Sequence, residues 1–331
     1  MLKLYPLLMK PLFDPRPWGR FDLAPIYAQK FQEKIGESWL TGDHCQVANG
    51  PLAGKSLSEL AAEYRRLLVG EAPADDRRFP LLLKFLFPEE KLSVQVHPDD
   101  SAAREIGEPC GKTECWYVAH AEPGAEIALG LRPGVTRAEF ERSIHDQRAE
   151  QLLNWIHVSP GDMIYVAGGT VHTLGPGSIM VETQQQSDTT FRLYDYGRPR
   201  ELHLEAGLRV IKEQVRSGKV RPQPITKLDG NGNERQLLVA GTYFAVERFS
   251  LARTQDFPPL QGKSSVQILV AFDGVARFEA GSYDAVGFRR GDGLVVPASI
   301  DQFRIHPSPR IEFLRAFVPG TKVAEPEVFL E

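Results

Sequence analysis

The sequence is poor in cysteine, has no long hydrophobic run and carries no large excess of charge of either sign. Its three cysteines, Cys45, Cys110 and Cys115, form neither an even disulfide framework nor a paired zinc spacing. We expect reduced thiols in a cytoplasmic protein. A formal net charge of -4 offers no basic stripe to nucleic acid. Because no apolar run approaches membrane length, we expect neither nucleic-acid nor membrane partners.

The 331 residues are enough for two domains, and turn-forming residues are spread along all of them. Glycine and proline occur throughout, as short strands joined by many turns require. Helices are predicted over residues 56–70, 136–154 and 203–216, the first two opening on capping boxes. The sequence thus predicts a mainly β protein. We expect an N-terminal domain with helices at 1–218, a linker at 219–235 and a C-terminal β-domain at 236–331.

Four residues have the chemistry and spacing of metal ligands. Gln95 and His97 lie two apart in a β-patterned run, so their side chains point to the same side of a strand. Glu114 follows in a second strand-like run, and His172 closes a turn–strand–turn segment that begins at residue 161. Two imidazoles, a carboxylate and an amide oxygen can surround one divalent ion. The pattern predicts a metalloenzyme, although each residue alone also has an ordinary structural explanation.

Residues 161–172 match the second sequence signature of the cupin barrel, with Ala167 where proline is usual. Residues 291–299 repeat the frame of residues 161–169, and Gln302 then stands in the place of His172. Gln267 stands roughly in the place of Glu114. We therefore expect two cupin (jelly-roll) barrels, of which the second is degenerate and has lost its ligands. The predicted site belongs to the N-terminal barrel alone.

Longer motifs resemble the type I mannose-6-phosphate isomerases, zinc-dependent members of the cupin superfamily. The resemblance covers most of the chain and rests on residues 36–39, 92–100, 111–117 and 182–195. Gly-Lys-Thr-Glu at 111–114 is typical of the short class of that family. The resemblance implies one Zn²⁺ per chain. It also implies an aldose–ketose isomerase that interconverts mannose 6-phosphate and fructose 6-phosphate through an enediol(ate) intermediate.

The resemblance also implies roles for single residues. The family's zinc ligands fall on Gln95, His97, Glu114 and His172. Its catalytic arginine falls on Arg192, its active-site aspartate on Asp188, its active-site lysines on Lys84 and Lys112, and a phosphate-side serine on Ser93. Arg198 lies about where the longer class has a phosphate-binding lysine. We predict that Arg192, Lys112 and Asp188 act in catalysis, and that Ser93, Lys84, Arg198 and Glu182 contact the substrate.

The residue types fit this chemistry. Moving a proton between adjacent carbons builds up negative charge, which a metal can hold as a Lewis acid and a guanidinium can stabilise. Arg192 follows Asp188 by four residues in a predicted strand, which would place the two on one face. Glu182, Asp188, Lys112 and a zinc-bound water are all admissible as the group that moves the proton. Asp99 and Asp100 follow Pro98 and are expected to cap a helix.

Two other functions fit parts of the pattern. Two histidines and one carboxylate also form the triad of non-haem iron oxygenases, although Gln95 and the cationic residues argue against that class. The alternative is a non-catalytic sugar-binding cupin, in which the metal is structural or vestigial. The expected partner is a phosphorylated hexose. Homo-oligomer formation is left open.

Overall fold

The computed structural model describes residues 3–71, 78–214, 216–228, 230, 232–260, 264–320 and 323–330, and over these residues the protein is mainly β. Five α-helices occur in the described ranges: α1 (Leu57–Tyr64), α2 (Arg66–Val69), α3 (Asp100–Glu105), α4 (Arg137–His145) and α5 (Leu204–Val210). Two short 3₁₀ helices lie at Gly50–Leu52 and Ala149–Leu152. None of the described helices is long and apolar enough to cross a membrane.

The strands of the N-terminal part are β1 (Leu7–Leu8), β2 (Leu12–Asp22), β3 (Lys30–Trp39), β4 (Leu81–Leu86), β5 (Val94–Val96), β6 (Glu114–Ala121), β7 (Glu126–Leu131), β8 (Leu153–His157), β9 (Met163–Val166), β10 (His172–Leu174), β11 (Ser178–Gln185) and β12 (Phe191–Tyr194). Those that follow are β13 (Gly218–Val220), β14 (Thr226–Leu228), β15 (Asn233–Ala240), β16 (Ala245–Leu251), β17 (Gln255–Phe257), β18 (Gln267–Glu279), β19 (Val286–Arg289), β20 (Gly293–Val296), β21 (Phe303–Phe317) and β22 (Val328–Phe329).

Two sheets build the N-terminal half as a sandwich. One has the strand order β2-β3-β4-β11-β6-β9-β13-β22 and the other β12-β5-β10-β7-β8. Apolar side chains from both sheets meet in one core that includes Trp116, Met180, Ile127 and Leu174. Side chains alternate along each strand. Leu83 of β4, for example, packs in a different core on the outer face of its sheet.

The third sheet repeats the strand order of the first. Its strand order β14-β15-β16-β21-β18-β20-β1 corresponds, strand by strand, to the order β2-β3-β4-β11-β6-β9-β13 of the first sheet. Two further strands of the third sheet lie off this path: β17 pairs with β21, and β19 pairs with β18. The register repeats as well, because Gln267 lies opposite Val296 as Glu114 lies opposite Val166. The sheets are not closed, but the duplicated architecture is of the cupin type that the sequence predicted.

The terminal strands connect the two halves. β1 pairs with β20 in the third sheet, whereas β22 pairs with β13 at the edge of the first. One apolar core runs between the halves and contains residues from α1, β4 and β18, including Leu60, Phe85 and Ile268. The predicted linker at 219–235 contains part of β13, all of β14 and the first residues of β15, and its positions 229 and 231 lie outside the described residues. The division into domains stays a prediction.

The predicted helices begin where expected, but the first is interrupted before its predicted end at Gly70 and the other two end earlier. The capping boxes at Ser56 and Thr136 are both formed. The first helix breaks at Arg65, whose backbone φ is +46°. The second ends at His145, since the chain from Leu153 joins the five-stranded sheet as β8. The third ends at Val210, and position 215 of its predicted span lies outside the described residues.

Candidate metal centre and active-site cavity

Three neighbouring strands bring the first site residues together. Gln95 of β5 is the register partner of His172 on β10 and also of Arg192 on β12. Neighbouring strands are about 4.8 Å apart, so these three residues form one row across the sheet. Glu114 begins β6 of the facing sheet. The site therefore lies between the two sheets of the sandwich.

His97, Glu114 and His172 form a compact and fully buried cluster. Nε2 of His172 lies 3.3 Å from Glu114 Oε1, and Nε2 of His97 lies 3.6 Å from Glu114 Oε2. Candidate ligand atoms of all three residues lie within 4.8 Å of one another. The side-chain amide of Gln95 is 3.2 Å from His172 Nε2. The structure thus brings together all four residues predicted as metal ligands.

The Nδ1 atoms of both histidines form hydrogen bonds with backbone carbonyl groups. Nδ1 of His97 lies 3.0 Å from the carbonyl oxygen of Thr189, and Nδ1 of His172 lies 2.9 Å from that of Thr170. Because a carbonyl only accepts hydrogen bonds, each Nδ1 carries the proton and each Nε2 presents a lone pair. This is the usual arrangement around a metal-binding histidine.

Glu114 shows that these residues fit a cation. Both of its carboxylate oxygens are buried and receive no hydrogen bond. Burial raises the pKa of Glu114 well above its ordinary value, and repulsion from Glu182 adds to this effect. Burial also lowers the pKa of His172 to about 4, which keeps its imidazole neutral. A buried carboxylate beside two neutral imidazoles is a donor set that a divalent metal ion would satisfy.

A cavity of about 230 Å³ adjoins this cluster, with Gln95 and Lys112 in its wall. Lys112 Nζ lies 3.2 Å from His97 Nε2 and 3.4 Å from Glu114 Oε2. Five cationic side chains and three carboxylates line the cavity: Arg16, Lys84, Lys112, Arg192 and Arg200, with Glu37, Glu182 and Asp188. An excess of positive charge suits an anionic ligand.

Lys84 is a buried lysine between two buried carboxylates. Its Nζ lies 2.9 Å from Glu37 and 3.0 Å from Glu182. Burial opposes ionisation of Glu182, but the charges of Lys84 and Lys112 outweigh it and lower the pKa of Glu182 to about 2. Trp116 Nε1 donates a further hydrogen bond of 3.0 Å to Glu182. Both Lys84 and Glu182 line the cavity as predicted, but each is already bound to a partner.

Arg192 lines the cavity with one donor unused. Its Nη1 donates to the carbonyl oxygen of Glu201 at 2.7 Å, while its buried Nε has no partner. Ser93 also lines the cavity, but Arg198 does not. Arg198 donates instead to Asp195 and to the carbonyl of Lys91.

Asp188 lines the cavity from a loop. The prediction that Asp188 and Arg192 lie in one strand is wrong, because the chain leaves the first sheet after β11 and enters the five-stranded sheet at β12. Asp188 lies in this crossing segment and therefore shares no strand face with Arg192. No ion pair joins these two described residues, and the Arg192 guanidinium donates instead to the backbone carbonyl oxygen of Glu201.

Four residues of the cavity wall with charged or hydroxyl side chains were not predicted from the sequence: Arg16, Glu37, Thr190 and Arg200. Glu37 lies within the motif at 36–39, but nothing in the sequence indicates its buried contact with Lys84. Arg16 Nε donates to Glu37 at 3.1 Å, and Arg200 forms a two-pronged ion pair with Asp195. Spacing along a strand reveals neither contact, because the first joins residues 21 positions apart and the second lies in the segment after β12.

The C-terminal half has a pair of opposite charges on the strands that correspond to β4 and β11, but there the acidic and the basic residue have exchanged strands. Lys84 lies opposite Glu182 in the first sheet, and Glu247 lies opposite Arg315 in the third. Arg315 also donates to Gln267, the counterpart of Glu114, at 3.2 Å. The Arg315 guanidinium thus lies beside Gln267, the position at which the N-terminal half has Glu114. This observation supports the prediction that the C-terminal half holds no catalytic metal.

The fold and the site define a cupin-type protein with a candidate metal centre. The family model described as "Phosphomannose isomerase type I, catalytic domain" matches residues 25–142. Mannose-6-phosphate isomerase ManA of Bacillus subtilis (strain 168) is 36% identical over 314 residues, which cover 91% of this chain and 95% of that protein. The chain belongs to the type I mannose-6-phosphate isomerases.

Solved structures agree with this assignment. The crystal structure of the mannose 6-phosphate isomerase from Bacillus subtilis has a TM-score of 0.83 at 32% identity, covering 94% of this chain and 99% of that chain. A mannose 6-phosphate isomerase structure described as zinc-bound has a TM-score of 0.73 at 14% identity, covering 93% of this chain and 98% of that one. The second comparison establishes a shared fold.

Proposed function

We propose that the protein interconverts mannose 6-phosphate and fructose 6-phosphate, with one zinc ion held by Gln95, His97, Glu114 and His172. The observation that carries the proposal is the buried Glu114 carboxylate, which receives no hydrogen bond and faces two imidazole lone pairs. Lys112 Nζ lies 3.4 Å from one of its oxygens, and a bound divalent ion would give the carboxylate and both imidazoles a shared partner without a rearrangement of the core.

The reaction moves two protons and changes no net oxidation state. From the open-chain aldose, one proton leaves C2 and one is delivered to C1, while the hydroxyl proton on O2 is lost and O1 gains one. The intermediate is an enediol(ate) with negative charge on the adjacent oxygens. A zinc ion, when bound, supplies a Lewis acid that favours this charge.

Arg192 is the residue of the chain best placed to stabilise the same charge. Its Nε donor is free, and the row of register partners puts it next to Gln95 and two strands from His172. A preorganised guanidinium that needs no reorganisation is an effective stabiliser of an oxyanion.

The ion pairs of the site reduce the number of residues that could carry the proton. Glu182 is a weak base, since Lys84 and Lys112 lower its pKa against the opposing effect of burial, and Lys84 and Trp116 already bind it. Asp188 and Lys112 are the remaining candidates within the chain, and both line the cavity. Asp188→Asn and Lys112→Met, each tested for exchange of the C2 proton with solvent deuterium, distinguish them.

The phosphate group would meet Ser93 and the arginines of the cavity. Arg200 lines the wall, while Arg198 reaches the site only through Asp195, which binds both arginines. We therefore assign Arg198 a supporting role in substrate binding, through Arg200.

A coupled assay on purified protein tests the proposal. We expect about one zinc per chain by elemental analysis and turnover of mannose 6-phosphate to fructose 6-phosphate. Prolonged chelation should abolish turnover, and added zinc should restore it. Stoichiometric iron with oxygen consumption, or a metal-loaded protein without isomerase activity, would contradict the proposal.

A further inference from the structure

We infer that Asp100 and Tyr243 position the segment that carries Lys112 and Glu114, so that the C-terminal half tunes a site to which it contributes no ligand. The inference rests on the proposed function of that site. It assigns Asp100 and Tyr243 as positioning residues, which act through other groups and touch no reacting atom.

The segment before Glu114 is irregular, yet each of its backbone N–H groups has a partner. Gly111 donates to Asp100 Oδ1 at 2.8 Å, Lys112 to the carbonyl of Pro98 at 2.9 Å, and Thr113 to the side-chain oxygen of Gln185 at 2.9 Å. Thr113 makes two further contacts, since its carbonyl oxygen accepts from the backbone N–H of Gln185 at 3.2 Å and its hydroxyl oxygen from that of Gly168 at 3.3 Å. Together these hydrogen bonds fix the path by which residues 111–113 enter β6.

Two of the three hydrogen bonds depend on Asp100. Its Oδ1 accepts from Gly111 directly, and it also accepts from Gln185 Nε2 at 3.0 Å. Because Gln185 uses its nitrogen for Asp100 and its oxygen for Thr113, the orientation of its amide is fixed. Asp100 thus supports the segment on both sides of Lys112.

The remaining oxygen of Asp100 is held from the C-terminal half. The Tyr243 hydroxyl donates to Asp100 Oδ2 at 2.8 Å. Tyr243 lies between β15 and β16, 143 residues further along the chain, and its ring packs at the edge of the core between the two halves. A Tyr243→Phe change would keep this packing and remove only the hydroxyl.

The segment at residues 111–113 has little room to move. A Cβ on Gly111 would lie 2.5 Å from the carbonyl carbon of Asp99, so the two chain segments are already in close contact. Lys112 and Glu114 follow within three residues and contact His97. Groups that orient metal ligands from behind typically change metal affinity or activity by about 10–100-fold when removed.

The experiment compares four variants of the full-length protein: Asp100→Ala, Asp100→Asn, Tyr243→Phe and the control Tyr27→Phe. The Tyr27 hydroxyl also joins the two halves, donating to the carbonyl of Gly291 at 2.9 Å, but it makes no contact with residues 111–114. Zinc affinity is measured by competition with a chromophoric chelator. The kcat and KM for mannose 6-phosphate and the melting temperature of metal-free protein complete the set.

We expect Asp100→Ala to weaken zinc binding about 10–100-fold and to lower kcat with KM little changed. Asp100→Asn should recover part of the loss, since its side-chain oxygen still accepts from Gly111. Tyr243→Phe should weaken zinc binding about fivefold, the scale of one hydrogen bond. Tyr27→Phe should leave zinc affinity and kcat at the parental values.

If Tyr243→Phe and Asp100→Asn lower the melting temperature but keep parental zinc affinity and kcat, the link is only structural and the inference is overturned. An equal loss of zinc affinity in Tyr27→Phe would overturn it too. If the parent protein binds zinc but does not turn over mannose 6-phosphate, the proposed function is wrong. The zinc affinities of the Asp100 and Tyr243 variants would still test whether these residues position the segment.

Discussion

Replacing Arg192 by alanine should separate catalysis from stability. The guanidinium lines the cavity with its Nε buried and unpaired, while Nη1 donates to the carbonyl of Glu201. If Arg192 stabilises the enediolate, Arg192→Ala should lower kcat about 10²–10³-fold, the scale for one key charge-stabilising donor, or about 2.7–4 kcal/mol of transition-state energy.

The expected change in folding stability is much smaller. Loss of the hydrogen bond to Glu201 costs about 1 kcal/mol, but removal of a buried, unpaired donor offsets part of that cost. The melting temperature should therefore shift by no more than about 2–4 °C. Arg192→Lys should restore activity only in part, because an ammonium lacks the planar fork of a guanidinium.

The assay measures kcat, zinc content and melting temperature on the same preparations. Arg209→Ala is the matched control, because Arg209 is an exposed arginine of α5 that binds only Glu205 at 2.6 Å. Near-normal kcat in Arg192→Ala, with zinc retained, would remove Arg192 from the mechanism. A large loss of stability with normal turnover of the folded fraction would make it a structural residue.

Three further predictions concern the metal, the buried charges and the chain packing. His172→Ala should lose most bound zinc and activity by elemental analysis and assay, and retention of stoichiometric zinc would remove His172 from the ligand set. Burial opposes ionisation of Glu37, but Lys84 and a neighbouring arginine outweigh it and lower its pKa from 4.5 to about 2. This depressed pKa stabilises the fold by about 3 kcal/mol above pH 4.5, and the stabilisation is lost as the pH falls towards 2. Glu37→Gln should therefore be less stable than the parent near pH 7 in urea unfolding. The difference should shrink below pH 4.5, and a constant difference down to pH 3 would refute the assignment. Gly111→Ala should destabilise the protein and weaken zinc binding, since its Cβ would overlap the backbone of Asp99, whereas Gly287→Ala meets no atom within 4 Å and should be neutral. Equal melting temperatures for the two glycine variants would contradict the close approach.

The local chemistry of the site was predictable from the sequence. Gln95 and His97 share a strand face because side chains alternate along any strand, whichever sheet contains it. The turn residues of 161–172 and the capping boxes at Ser56 and Thr136 act over a few residues. The repeated frame at 291–299 likewise predicted the second β-unit, and the common register of Gln267 and Glu114 agrees with that interpretation.

Features that depend on which strands become neighbours were not predictable. Alternation along one strand says nothing about its partner, so the buried contacts of Lys84 with Glu37 and Glu182 had no signal in the sequence. The point at which the chain passes from one sheet to the other, near Asp188, was not predictable either. A continuous strand and two strands in different sheets can have the same apolar pattern.

The sequence by itself determined the ligand types, their strand faces and the duplicated β-architecture, because these follow from short-range stereochemistry. The tertiary structure alone decided which cations face the cavity, which carboxylates are already paired, and that Tyr243 of the C-terminal half reaches Asp100. Such contacts join residues far apart in the chain. Their partners are fixed only when the sheets pack and water is excluded from the charges between them.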